Sequence, residues 1–150
     1  MIRRRLLQGG ATSLVIYALP RRANPEHDMA FEAWLEGMFQ DMPRVNEGVS
    51  VDLPALAENG NSVPLTVSVD SPMSSDNYIR SIDIYAPKNP VPHLGSFKLS
   101  PGSGLARVST RIRLGGDQTV RAVARTRDDR LLVGGADIVV TEAACLDFLI

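Results

Sequence analysis

The sequence predicts an all-β fold, an antiparallel β-sandwich preceded by one amphipathic helix. Two observations carry the sandwich. From Val49 onward apolar residues recur with a period of two, and the short runs are separated by turn clusters rich in Gly, Pro, Asn and Asp. A third observation carries the helix. Over 24–43 the apolar residues recur at helical spacing instead.

The helical stretch reads "NPEHDMAFEAWLEGMFQDMP". Asn24 is placed to cap it, Pro25 suits the first helical position, and Glu26 and Asp28 favour a helix N-terminus. Phe31, Leu35, Met38, Phe39 and Met42 form one apolar stripe with Trp34 at its side, and Pro43 stops the helix. The stripe needs a cover. Either it docks on the chain's own sheet, or part of it packs on a partner subunit.

The strand candidates follow over 44–141. "VPLTVSVD" puts Leu65, Val67 and Val69 on one face, and "SIDIYAP" does the same with Ile82, Ile84 and Ala86. "FKLSP" is a short third candidate. "ARVSTRIRL" alternates Ala106, Val108, Thr110, Ile112 and Leu114 against Arg107, Ser109, Arg111 and Arg113. "TVRAVARTRD" and "LLVGGADIVVT" complete the set, with turns at "ENGN", "DSPMSSDN", "PKNPVP", "SPGSG", "GGDQ" and "RDDR". The one Trp lies in the helix and there is no cysteine pair, so the core signature of antibody domains is missing.

One hairpin is expected between 105–114 and 119–127. Pairing Leu114 with Val120, Ile112 with Ala122 and Thr110 with Ala124 turns both apolar faces inward, and a one-residue slip would bury arginines. That register sets Arg113 opposite Arg121 and Arg107 opposite Arg127. Like charges directly opposite are unfavourable, so Arg107, Arg111, Arg113, Arg121 and Arg127 call for an anionic counterpart. Acids on the next strand are one counterpart. An acidic protein or small anion docking on this face is the other.

Composition bounds the function. Sixteen Lys and Arg against 17 Asp and Glu leave a net charge of -1, which gives no support to a nucleic-acid partner. No stretch approaches the roughly 18 apolar residues of a membrane span. His27 and His93 stand in unrelated contexts and no Cys-x-x-Cys exists, so no metal cluster is expected. No Gly-rich loop opens a helix to cradle a phosphate, and no motif connects Ser, His and Asp. Glu58 and Asn59 in "LAENG" are explained by a turn. No cofactor and no self-contained active site are expected.

The N-terminus reads as an export signal over 1–23. "MIRRRLLQGG" is a basic region and "ATSLVIYALP" a short apolar one. The order Arg3-Arg4-x-Leu6-Leu7 resembles the twin-arginine export motif. The alternative is an N-terminal helix of the mature fold. Export implies the periplasm, where a single cysteine is free, modified or joined to another chain.

That cysteine is Cys145, in the tail 142–150 beyond the last strand. A thiolate is both nucleophile and leaving group toward sulfur, so it can hold a sulfur species covalently. A tail can present that cargo in another protein's active site. Ala143 and Ala144 are too small to lock the residue by packing. The alternative is a buried cysteine acting as a small hydrophobe among Leu146, Phe148, Leu149 and Ile150.

Two long stretches resemble a family. "LPALAENGNSVPLTVSVDSPMSSDNYIRSIDIYAPKNPVP" and "FKLSPGSGLARVSTRIRLGGDQTVRAVARTRDD" are similar to SoxY, the sulfur-carrier subunit of the periplasmic thiosulfate-oxidation system. "ENGNSVP", "VDSPM" and "VSTRIRL" are its specific parts, and the likeness runs from about Phe31 to Cys145. The resemblance implies an immunoglobulin-like sandwich, a heterodimer with a SoxZ-like subunit, twin-arginine export, and a carrier rather than an enzyme. It also implies that Cys145 matches the carrier cysteine, which in the family sits in a Gly-Gly-Cys-Gly-Gly arm that enters partner enzymes. Here Ala143 and Ala144 precede the cysteine and Leu146 and Asp147 follow it. Alanine and leucine are stiffer and bulkier than glycine. Two readings result. One is a carrier holding sulfur on Cys145 for Sox-type enzymes. The other is a degenerate binding module with a structural role, for example beside a quinoprotein dehydrogenase.

Overall fold

The computed structural model describes residues 25–144. The proposed export signal, the capping Asn24 and Cys145 with the residues after it lie outside the described residues. The chain runs α1 (Pro25–Met38), β1 (Arg44–Val45), β2 (Val49–Asp52), β3 (Leu56–Asn59), β4 (Val63–Val69), β5 (Ile79–Tyr85), β6 (His93–Lys98), β7 (Arg107–Ile112), β8 (Gln118–Thr126) and β9 (Leu131–Glu142). It is an all-β sandwich with one N-terminal helix, as the periodicities predict.

The larger sheet has the order β1-β9-β8-β5-β6, with β3 also on β9, and the smaller has β2-β4-β7. Both β1 and β3 run parallel to β9, and the remaining ladders are antiparallel. The period-two residues meet between the sheets. Val63, Leu65 and Val67 from β4, Val108 and Ile112 from β7, and Ile82, Ile84, Val120, Ala122 and Ala124 form one core cluster, which Leu114 completes. Gly134 in β9 lies where β2 crosses it. A Cβ there would come 2.3 Å from the Val49 carbonyl oxygen, so only glycine lets the two backbones approach.

The expected hairpin between 105–114 and 119–127 does not form. β7 pairs with β4 in the smaller sheet, with Ile112 beside Val63, Thr110 beside Leu65 and Val108 beside Val67. β8 pairs with β5 and β9 in the larger sheet, with Ala122 beside Ile84 and Ala124 beside Ile82. Period two fixes which side chains face the core, but it does not fix the sheet from which they face it. A crossover buries the same set as a hairpin does. The facing of Arg113 by Arg121 and of Arg107 by Arg127 therefore does not occur. Arg107 pairs with Ser68, and Arg121 lies between Tyr85 and Gly135.

The helix docks on the outer face of the larger sheet. Phe31, Leu35 and Phe39 pack with Tyr85, Val123, Leu131 and Val133 in a second core cluster, joined by Trp34 and Met42. Its rings form one group: Trp34 lies 4.9 Å from Tyr85, and Phe31 lies 5.3 Å from it. Met38 departs from the predicted stripe and is half exposed. The helix also ends at Met38, short of Pro43. Phe39 N–H still donates to Leu35, but Asp41 turns to φ 59, and the residue before a proline disfavours helical backbone.

Candidate functional site

The last strand positions the candidate site. β9 runs the length of the larger sheet and delivers the chain to Ala144, the residue before Cys145. Cys145 itself lies outside the described residues, but the structure that holds its base does not.

The segments that follow β3, β7 and β9 meet there through backbone hydrogen bonds. Gly60 N–H donates to the Glu142 carbonyl at 2.8 Å, Leu114 N–H to the Gly60 carbonyl at 2.9 Å, and Ala144 N–H to the Leu114 carbonyl at 3.0 Å. Ala143 and Ala144 are half-buried. The small alanine side chains are not expected to lock Cys145 by packing; what ties Ala144 to the sandwich is a backbone bond.

A buried polar pair holds the Leu114 side of this junction. The Asn89 amide nitrogen donates to the Arg113 carbonyl at 2.7 Å, and its oxygen accepts Gly115 N–H at 2.9 Å. Gln118 donates to that same oxygen at 3.3 Å and accepts Lys88 N–H at 2.9 Å. Both side chains are buried and fully partnered, so they specify one conformation for the loop after β7. Asp117 adds a carboxylate that accepts Val140 N–H at 2.8 Å.

The five arginines read as a docking face fall into two groups. Arg107, Arg111 and Arg113 are exposed along and just beyond β7. Arg111 donates to the Ser62 carbonyl at 3.1 Å. Arg121 belongs to the helix instead: it pairs with Asp28, and its guanidinium lies 4.8 Å over the Phe31 ring. Arg127 sits at the end of β8 and reaches the Asp76 carbonyl at 3.4 Å. The single basic face predicted from the hairpin is divided between two sheets. Asn59 accepts Asn61 N–H at 2.8 Å, as expected for a turn.

A polar cluster went unnoticed in the sequence. Asp83 is 2% exposed. It accepts from Ser96, from His93 Nε2 at 3.1 Å and from Ser81 at 3.3 Å. The His93 ring also lies 5.3 Å from Trp34. Ser81, Asp83 and Tyr85 alternate on the outer face of β5, and that alternation was the available signal. Ser96 bonds to Asp83, so the cluster lacks the serine-to-histidine bond of a hydrolytic triad. Among the described residues no group of three or more His, Cys, Asp or Glu is arranged to hold a metal ion.

A cavity of about 570 Å³ opens beside α1, lined by Leu35, Phe39, Met42 and Leu131 with Glu36, Asp41 and the ion pair of Glu32 with Arg44. It lies by Leu131, at the opposite end of β9 from Ala144. Its carboxylates make it a poor host for an anionic sulfur species.

Comparison with known proteins decides the family. The family described as sulfur oxidation protein SoxY matches residues 35–145, a range that ends on Cys145. The chain belongs to the SoxY family. Among solved structures, the sulfur carrier protein SoxY from Chlorobium limicola f thiosulfatophilum is similar at 24% identity with a TM-score of 0.64. The alignment covers 76% of this chain and 98% of that one. The superoxide reductase (neelaredoxin) from Ignicoccus hospitalis is similar at 20% identity and a TM-score of 0.55, over 63% of this chain and 80% of that one. A putative superoxide reductase from Thermotoga maritima reaches 18% identity and 0.55, over 67% and 95%. At these identities the structural likenesses show a shared sandwich fold. A search of curated proteins gave no match.

Proposed function

We propose that this SoxY-family protein is a sulfur carrier that holds sulfur intermediates covalently on Cys145 during thiosulfate or sulfur oxidation. The observation that carries the reading is the family match, which extends to the chain's one cysteine, three residues beyond the end of the last strand. Exchange chemistry suits a thiol there. The Cys145 thiolate attacks a sulfur atom and displaces a leaving thiolate. A second nucleophile later attacks the cargo sulfur, and the Cys145 thiolate departs. The protein supplies a handle, and partner enzymes of the Sox type supply the catalysis.

The reading includes a SoxZ-like subunit and export to the periplasm by the twin-arginine route. A stable heterodimer buries roughly 1,200–2,000 Å². Co-expression with a SoxZ-like chain followed by light scattering should give the heterodimer mass, and a monomer mass refutes the pairing. The exposed Arg107, Arg111 and Arg113 are the part of the predicted docking face that stays together, along and just beyond β7, for an acidic partner.

A second reading, a structural module beside a quinoprotein dehydrogenase, is favoured by one observation: Ala144 is tied to the body of the sandwich. Intact mass of protein purified from its own periplasm separates the two. The carrier shows sulfur or sulfonate additions that a reductant removes and that Cys145→Ser abolishes. An unmodified mass under sulfur-oxidising growth overturns the carrier reading.

A further inference from the structure

We propose that Gly60 and Asn89 are positioning residues that set the working length of the Cys145 segment by clamping its base. The inference rests on Cys145 being the carrier thiol. The clamp is the closed circuit of Gly60 N–H to Glu142, Leu114 N–H to Gly60, and Ala144 N–H to Leu114. It joins the ends of β3, β7 and β9, and so ties the tail to both sheets at once.

Each named residue has a separate reason. A Cβ on Gly60 would lie 2.4 Å from the Leu114 carbonyl oxygen and 3.0 Å from that of Glu142. Both atoms belong to backbone and are acceptors in the circuit, so a larger residue must push the circuit open. Asn89 brackets Leu114 by bonding the Arg113 carbonyl on one side and the Gly115 N–H on the other. It thereby aims the Leu114 carbonyl that receives Ala144. The asparagine amide supplies a donor and an acceptor on two separate atoms at this fork, and Gln118 bonds the same oxygen from beside it.

The consequence is a matter of reach. With the clamp closed, Cys145 is one peptide unit, about 3.8 Å, from a tethered residue. Opening the bonds on Glu142 and Ala144 frees up to two more residues, or about 7 Å of extended chain, since Glu142 stays paired beside Asn59. A free arm needs no such junction. A clamp that ends on Ala144 fixes the point from which the segment starts, and a partner that competes for the Gly60 N–H or the Leu114 carbonyl would move that point back along the chain.

Hydrogen exchange and thiol kinetics on the full mature chain test this. In the wild type the donor amides of the circuit, those of Gly60, Leu114 and Ala144, should exchange slowly. In Gly60→Ala, protection at 144 should fall by about tenfold or more, the scale of one hydrogen bond, while β5 and β8 stay protected. The arm length is read from two alkylation rates at Cys145, with N-ethylmaleimide in solution and with a maleimide immobilised on a bead. Gly60→Ala should raise the bead-to-solution ratio by about the same factor. Asn89→Asp, which keeps the acceptor for Gly115 N–H and loses the donor to the Arg113 carbonyl, should show a smaller rise in the same direction and carries the test if Gly60→Ala does not fold. Wild-type exchange at 144 as fast as in an unstructured peptide overturns the clamp. So does an unchanged ratio in a folded variant whose local protection is lost. An absence of sulfur adducts on native protein that shows the expected clamp behaviour sinks the carrier reading alone.

Discussion

Phe31→Ala tests how the helix is held. The ring is 2% exposed and lies between the sheet and the rest of the helix cluster. Its centroid is 5.3 Å from Tyr85 and 5.9 Å from Trp34, and the Arg121 guanidinium sits 4.8 Å above it. Removing a buried phenylalanine costs about 3–5 kcal/mol in a closed core. The aromatic contacts account for about 0.5–1.5 kcal/mol of extra cohesion per pair. The cluster under α1 is open to solvent along the helix flanks, where Trp34 is only partly buried, so relaxation and water recover part of the loss. About 3 kcal/mol is the expected net cost. Trp34, the chain's one tryptophan, is an intrinsic probe of this cluster. With a urea slope of about 2 kcal/mol per molar, the emission midpoint should fall by about 1.5 M. Far-UV circular dichroism should follow at higher urea, because the sandwich core is a separate cluster on the other side of the sheet. A midpoint shift below about 0.5 M, or loss of the sandwich signal together with the tryptophan signal, would refute the reasoning.

Three further outcomes are expected. Burial holds the Tyr85 hydroxyl above its ordinary value, so the folded state favours the protonated form. Its stabilising contribution is full below pH about 10 and is lost as pH rises through the folded value; alkaline urea titrations should show a decline that Tyr85→Phe removes. Asp83→Ala strips the acceptor from His93, Ser81 and Ser96 and should cost about 1–3 kcal/mol by denaturant melts, and a neutral result would mean that water fully replaces the carboxylate. Replacing Arg3 and Arg4 by lysine should strand the protein in the cytoplasm, and unchanged periplasmic levels on fractionation rule out the twin-arginine route.

Much of the architecture was legible because it depends on local periodicity. Residues such as Leu65, Val67, Ile82 and Ile84 alternate with polar neighbours, and an alternating segment has a stable place only with one face buried. The helix stripe was legible for the same reason at a different period, and the exposed Met38 marks where that stripe is wider than the surface it covers. The one thiol and its place after the last strand were likewise plain. Strand pairing was another matter. The hairpin and the observed crossover bury the same side chains of β7 and β8, so alternation carries no information that separates them. Short-range pattern also missed β1 and β3, which have too few residues to show a period and owe their existence to β9 beside them.

The sequence by itself determined the class of fold, the helix and its apolar side, and the thiol at the end of the chain, since each follows from the order of residues over a few turns or strands. Only the tertiary structure decided that five arginines do not form one face, that Asp83 has His93 and Ser96 as partners, and that Ala144 is tied to Leu114. These pairs stand 10 to 30 residues apart in sequence. The free energy that selects them comes from closing two sheets over one core, a global event that no local pattern encodes.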